Sequence, residues 1–155
     1  MLLEKDGFFI STNKSFLDMN VIYNFLSNES YWLKGTTMEI VKASIENSIC
    51  YGVYEGDPVN GSAKQIGFAR VVSDLVRFSW LGDVFILPEY RGRGLSKWLV
   101  GTITEHPKLK GTNFQLSTVD AHTLYAQFGF KPLDRIENRM ARPLDWDSIN
   151  TAYKS

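Results

Sequence analysis

Arg91-Gly92-Arg93-Gly94 is where residue types and spacing in this chain point most directly to chemistry. The two glycines allow a tight turn and let a ligand reach the backbone amides. A helix is predicted to follow at once, because Leu95, Trp98, Leu99, Thr102 and Ile103 recur at i, i+3, i+4, i+7 and i+8. The first N–H groups of such a helix have no partner within it and point back at the turn. With the macrodipole and the two arginines they form an anion site suited to a pyrophosphate. Just upstream stands Asp83, the only charge in the apolar stretch Leu81 to Leu87. Strand alternation groups it with Leu81, Phe85 and Leu87, away from Val84 and Ile86. A desolvated carboxylate there is a candidate general base. The competing reading is a carboxylate that orients a loop or pairs with Arg70 or Arg77.

These groups need a frame to hold them. Val84, Phe85, Ile86 and Leu87 form an unbroken apolar run, which predicts a strand buried on both faces and stopped by Pro88. Before it, Gly7 to Thr12 reads as a first strand. Asp18 is placed to cap a helix carrying Met19, Ile22, Tyr23, Phe25 and Leu26. Asn28 to Gly35 reads as a turn presenting Tyr31 and Trp32. Thr36 and Glu39 have the spacing of a capping box ahead of Ile40, Val41 and Ile45. Strands over Ile49 to Tyr54 and Gln65 to Val72, joined by turn-forming residues, predict a hairpin. Phe114 to Thr118 alternates as a strand. Asp120 is placed to cap a short helix with Ala121, Leu124, Tyr125 and Phe128 on one face, and Gly129 ends it in a left-handed conformation. A last strand near Asn138 to Ala141 is expected to lead into a polar tail. This order predicts an α/β (mixed α+β) layer fold in one domain over residues 1–155.

Composition narrows the function classes. The 155 residues are 44% hydrophobic and 22% charged, ordinary for a globular protein. Seventeen basic and seventeen acidic residues cancel, which argues against a protein that wraps nucleic acid. Cys50 is the only cysteine and sits in an apolar strand, so a buried small hydrophobe is expected and an internal disulfide is excluded. No apolar run approaches a membrane span, and Glu4, Lys5 and Asp6 interrupt the start before a signal peptide could form. A cytoplasmic location with no membrane partner is expected. His106 and His122 have no partner at metal-ligand spacing, and both are expected at the surface. Ser96 and Ser117 lack a nucleophile-elbow context.

Arg91-Gly92-Arg93-Gly94-Leu95-Ser96, after Pro88-Glu89-Tyr90, resembles the acyl-coenzyme A pyrophosphate loop of the GNAT superfamily of N-acetyltransferases. That family's pattern is Arg or Gln, two free positions, Gly, one free position, then Gly or Ala. Ser96 departs from it at the last place. Leu124-Tyr125-Ala126-Gln127-Phe128-Gly129-Phe130 resembles a second family motif, Leu-Tyr-x-x-x-Gly-Phe, and the element order is similar over nearly the whole chain. The resemblance implies a mostly antiparallel sheet with helices on both faces and acetyl-CoA as co-substrate. It also implies direct transfer to a primary amine of a small-molecule acceptor through a ternary complex. By the same resemblance, Arg91 to Ser96 hold the pyrophosphate, and Phe85, Ile86 and Leu87 offer backbone groups to the pantetheine arm and oxyanion. Tyr125 protonates the departing thiolate, a task that suits a phenol, whose pKa of about 10 lies near that of a thiol. Tyr31 and Trp32 fall on the acceptor side, where their faces could hold a cation or an aryl amine or could equally belong to the core. The family's carboxylate often sits one place earlier, at Gly82, and Thr118 stands where many members have a coenzyme-binding asparagine. A coenzyme A or acyl-CoA sensor without turnover is therefore the alternative function. The missing Gly-Lys-Ser/Thr ending argues against a P-loop. The assembly expected is a monomer or homodimer.

Overall fold

The computed structural model describes residues 1–154. The chain begins with a hairpin of β1 (Leu2–Lys5), which the sequence reading did not foresee, and β2 (Phe8–Ser11), which falls within the strand expected over Gly7 to Thr12. Asp6 and Gly7 join them, both at positive φ (54° and 83°), as a two-residue hairpin turn requires. β1 is an exposed edge strand and shows no burial alternation from which to read it. Asp18 then caps α1 (Met19–Asn24) as expected, accepting from the N–H groups of Asn20 (3.0 Å) and Val21 (3.3 Å). α1 widens into one π-type turn, Phe25–Glu29. α2 (Met38–Glu46) is capped by Thr37, whose hydroxyl accepts from Ile40 N–H. The expected box between Thr36 and Glu39 is displaced by one residue, and Thr36 is buried instead.

β3 (Ile49–Glu55), β4 (Lys64–Ser73) and β5 (Phe78–Ile86) form the antiparallel centre. α3 (Leu95–Thr104) follows, then β6 (Asn113–Gln115), α4 (His122–Ala126) and α5 (Trp146–Ala152). The six strands lie in sequence order, antiparallel throughout except for the parallel pair β5–β6. Helices cover both faces. Leu95, Leu99, Val100 and Ile103 of α3 pack with Ile66, Val71, Leu81 and Ile86 on one face. Ile22, Phe25, Leu26, Val41 and Ile45 pack with Cys50, Phe68 and Phe85 on the other. No helix among the described residues is long and apolar enough to cross a membrane.

Two irregularities of β5 shape the site. Arg70 lies opposite Gly82 and Phe68 opposite Phe85, so Asp83 and Val84 together face Ala69. One extra residue on one strand is a β-bulge, and it resets the alternation. Leu81 consequently shares a face with Ile86, while Phe85 points to the other face. This corrects the expected grouping of Leu81 with Phe85. The second irregularity is a splay: β6 pairs only with Phe78–Trp80, so β5 runs on from Leu81 with no strand on that side.

The end of the chain also differs from expectation. Asn138 to Ala141 is no strand; Ile136–Asn138 forms a single 3₁₀ turn, and Met140 is 98% exposed. An alternating pattern fixes a strand only when a neighbouring edge lies within reach. The expected polar tail contains α5, capped by Asp145 through Ser148 N–H (3.2 Å).

Candidate active site

Asp83 occupies the bulge with φ of 54°, a left-handed conformation that a short polar side chain tolerates better than most. Its residue is 9% exposed, and both carboxylate oxygens accept hydrogen bonds. Oδ2 accepts from Arg70 Nε at 2.8 Å and Oδ1 from Trp32 Nε1 at 2.9 Å. Arg70 is fixed in turn through Nη1 to the Ser48 hydroxyl at 2.9 Å. The pairing with Arg70 foreseen as one reading of Asp83 is thus present. Lone pairs on both oxygens remain free to accept from a ligand. At Gly82 an added Cβ would lie 3.5 Å from the Trp80 indole and 3.9 Å from Arg70, so those two side chains flank the place where a carboxylate was missed.

The open edge of β5 leads from the bulge into the glycine turn. Leu87 N–H donates to Ile66 C=O at 2.8 Å, and antiparallel ladders reverse direction from one residue to the next. Ile86 therefore turns its N–H and C=O to the open side, where the C=O accepts from Arg91 Nε at 3.0 Å. Arg91 thereby ties the glycine turn to the strand end. Gly92 (φ 79°) and Gly94 (φ 75°) are both left-handed, with open space where a Cβ would project. Gly94 is the N-cap of α3, and its C=O accepts from Trp98 N–H at 3.0 Å. The N–H groups of Leu95, Ser96 and Lys97 lie ahead of that first intrahelical bond. Arg93 stacks its guanidinium over the Tyr90 ring at 5.3 Å.

Tyr125 faces the same space from α4. Its ring packs edge-on against Phe130 (5.9 Å between centroids), which in turn meets Phe114. Gly129, at φ 87°, ends the helix as expected, and Phe130 N–H reaches back to Tyr125 C=O at 3.3 Å. The start of α4 differs from expectation. Thr118, not Asp120, holds the turn, its hydroxyl accepting from Ala121 N–H at 3.0 Å. Burial pushes the Tyr125 phenol up to about 12, helped by Tyr31 and the Asp120 carboxylate. It therefore holds its proton at neutral pH. No hydrogen bond to its hydroxyl occurs among the described residues.

A cleft of about 1170 Å³ joins these parts. Asp83, Phe85, Ile86, Arg91, Ser96, Tyr31, Trp32 and Tyr125 all line it. Leu87 and Leu95 do not; Leu87 packs between the two cores and Leu95 is buried beneath α3. Gly92, Arg93 and Gly94 are exposed on the adjoining turn. The sequence reading missed Glu29, Trp80, Trp146 and Tyr153, which also line the cleft. Trp80 carried a signal, an aromatic beside Gly82 on the central strand. Trp146 and Tyr153 carried none, because only the path of the chain brings α5 over the cleft. Elsewhere, His122 is exposed, whereas His106 is half-buried and its Nδ1 accepts from Lys108 N–H at 3.2 Å. Burial raises the Cys50 thiol to about 11, as befits an unreactive core side chain.

The chain is similar in sequence and fold to known proteins. A GNAT-family protein of Xanthomonas campestris pv. campestris, whose acetyltransferase activity is itself inferred, has a crystal structure similar to this chain. It is 40% identical with a TM-score of 0.82, over 91% of this chain and 96% of the other. A GNAT-family acetyltransferase of Elizabethkingia anophelis with acetyl-CoA bound shares the fold at 14% identity and a TM-score of 0.58, over 90% of this chain and 89% of the other. A Gibberella zeae protein, also an inferred acetyltransferase, is 29% identical over 114 residues, 65% of this chain. This chain spans 64% of that relative's length. Residues 46–132, from the end of α2 past the Tyr125 helix, match the acetyltransferase (GNAT) domain, and the chain belongs to that family.

Proposed function

We propose that this protein moves an acetyl group from acetyl-CoA to a primary amine of a small acceptor by direct attack within a ternary complex. One observation carries the reading: the unpaired edge of β5 runs from the Asp83 bulge into the glycine turn of α3, with Tyr125 in the same cleft. A thioester ligand fits these groups. The turn and the free N–H groups of α3 suit a pyrophosphate, and the Ile86 N–H suits an amide-bearing arm or an oxyanion. The amine nitrogen forms a bond to the thioester carbonyl carbon, the C–S bond breaks, and two protons move. Asp83 receives the amine's proton at a free lone pair, directly or through one water, while Arg70 and Trp32 fix the carboxylate. Tyr125, held protonated, donates to the departing thiolate.

The test is release of free coenzyme thiol from acetyl-CoA in the presence of a panel of primary amines, with the product weighed by mass spectrometry. Amine-dependent thiol release with acetamide formation supports the reading. Acetyl-CoA binding without turnover on any amine would favour the sensor alternative, in which Asp83 only holds Arg70 and Trp32.

A further inference from the structure

We infer that the acceptor is an arylalkylamine-type molecule: a flat ring on a short alkyl chain ending in a primary ammonium, with no carboxylate or phosphate beside it. The inference rests on the acetyl-transfer reading only in taking the second substrate to occupy this cleft. Among the aromatic side chains that line the cleft are five from outside the motif helix and the core: Tyr31 and Trp32 from the link before α2, Trp80 from β5, and Trp146 and Tyr153 from α5. The indole N–H of Trp32 is committed, and the Tyr31 hydroxyl is engaged as an acceptor. Trp32 Nε1 donates to Asp83, and the Tyr31 hydroxyl accepts from Val119 N–H at 3.2 Å. The two rings meet edge to face at 4.9 Å, and Tyr31 is 56% and Trp32 38% exposed. Such rings are held in advance and offer π faces and edges, which favour another ring or a cation over a sugar or an acid.

Charge points the same way. The cations lining the cleft, among the described residues, are Arg70 and Arg91. Arg70 is paired with Asp83, whereas Arg91 donates to the Ile86 carbonyl and keeps its full charge. No lysine lines it. Glu29 and Asp120 line it without an ion-pair partner among the described residues. With Arg70 and Asp83 cancelling, Glu29 and Asp120 against Arg91 leave one net negative charge, which favours an ammonium over an acceptor carrying its own anion. One net negative charge in a cleft with these five rings matches a single ammonium on an aryl group better than a polyamine.

Calorimetry of the intact chain decides this with four probes: 2-phenylethylamine, L-phenylalanine, spermidine and glucosamine 6-phosphate. Acetyl-CoA is titrated separately. We expect 2-phenylethylamine to bind at least about tenfold more tightly than L-phenylalanine, which differs only by a carboxylate, and more tightly than the other two. Trp146→Ala removes a partly exposed ring from α5, outside the core. It should weaken 2-phenylethylamine binding about fivefold or more while the melting temperature and acetyl-CoA affinity stay the same. Equal or tighter binding of L-phenylalanine, spermidine or glucosamine 6-phosphate overturns the inference. So does the absence of measurable 2-phenylethylamine binding, or an unchanged affinity in Trp146→Ala. Failure to bind acetyl-CoA would instead sink the acetyl-transfer reading and leave the amine ranking to stand on its own.

Discussion

Asp83 carries three burdens at once. It occupies a left-handed bulge, fixes Arg70 and Trp32, and lines the cleft. Asn is the substitution that separates them, since it tolerates the same backbone and still accepts at one oxygen. Asp83→Asn should fold and lower kcat about 10–100-fold near neutral pH if the carboxylate takes the amine's proton. The deficit should shrink as pH approaches the amine's own pKa, where the substrate arrives neutral. A pH-independent deficit would assign Asp83 to positioning alone. Tyr125 makes a complementary pH prediction. Its phenol lies near 12, above the ordinary value of about 10, so its loss as an acid should not bring activity down until well above pH 10. A fall in kcat centred near pH 10, in a protein still folded there, would contradict the upward shift of the phenol by burial. The placing of both residues in the cleft was legible in the sequence, one as a lone charge and one through its motif. The hydrogen bonds that fix Asp83 were only half legible. Arg70 lies on the neighbouring strand and could be anticipated, whereas Trp32 sits on a link whose course depends on how α1 and α2 pack.

The element that most depends on local chemistry is the turn ahead of α3. Gly94→Val should weaken acetyl-CoA binding at least tenfold, about 1.4 kcal/mol, by placing a branched side chain where the pyrophosphate would lie. Backbone strain is a confounder, because Gly94 has φ 75° and a β-branched residue resists that conformation. Gly61 supplies the control: it has φ 81°, equally open surroundings and a place in the β3–β4 connection away from the cleft. Gly61→Val should lose comparable stability and keep its coenzyme affinity; equal losses of affinity in both variants would remove the turn from the binding site. A second element, the β4–β5 hairpin, carries a pH signature. Asp74 accepts from the N–H groups of Phe78, Arg77 and Val76, which pulls its carboxyl down to about 2. A depressed carboxyl contributes stability that is present above about pH 4 and is lost as pH falls toward 2. The melting temperature of Asp74→Asn should therefore decline less steeply from pH 5 to 3 than that of the parent. Among elements, strands with a buried face and helices with an apolar stripe were readable. β1 was not, because it buries nothing. α5 was not, because a seven-residue helix with no buried side chain leaves little periodicity.

Over the whole molecule, the layered α+β architecture followed from the order of periodic segments, and the two motifs located the cleft. The bulge was beyond reach because it is a relation between two strands: one extra residue opposite Ala69 moves Phe85 across the sheet without altering its hydrophobicity. If the cleft serves acetyl transfer, acetyl-CoA should raise the melting temperature in a concentration-dependent way, and ATP, lacking the pantetheine arm, should do so less. Equal stabilisation by the two would deny any role to the open edge of β5. The most direct measurement compares the parent with Tyr125→Phe, following amine-dependent thiol release from acetyl-CoA on the best amine of the panel, with melting temperatures recorded alongside. Removing the hydroxyl keeps the ring against Phe130, so the fold should survive. The account predicts a kcat about 10²-fold lower or more, with KM for acetyl-CoA little changed. A kcat within about threefold of the parent, with single-turnover rates showing that chemistry limits the parent, would contradict it.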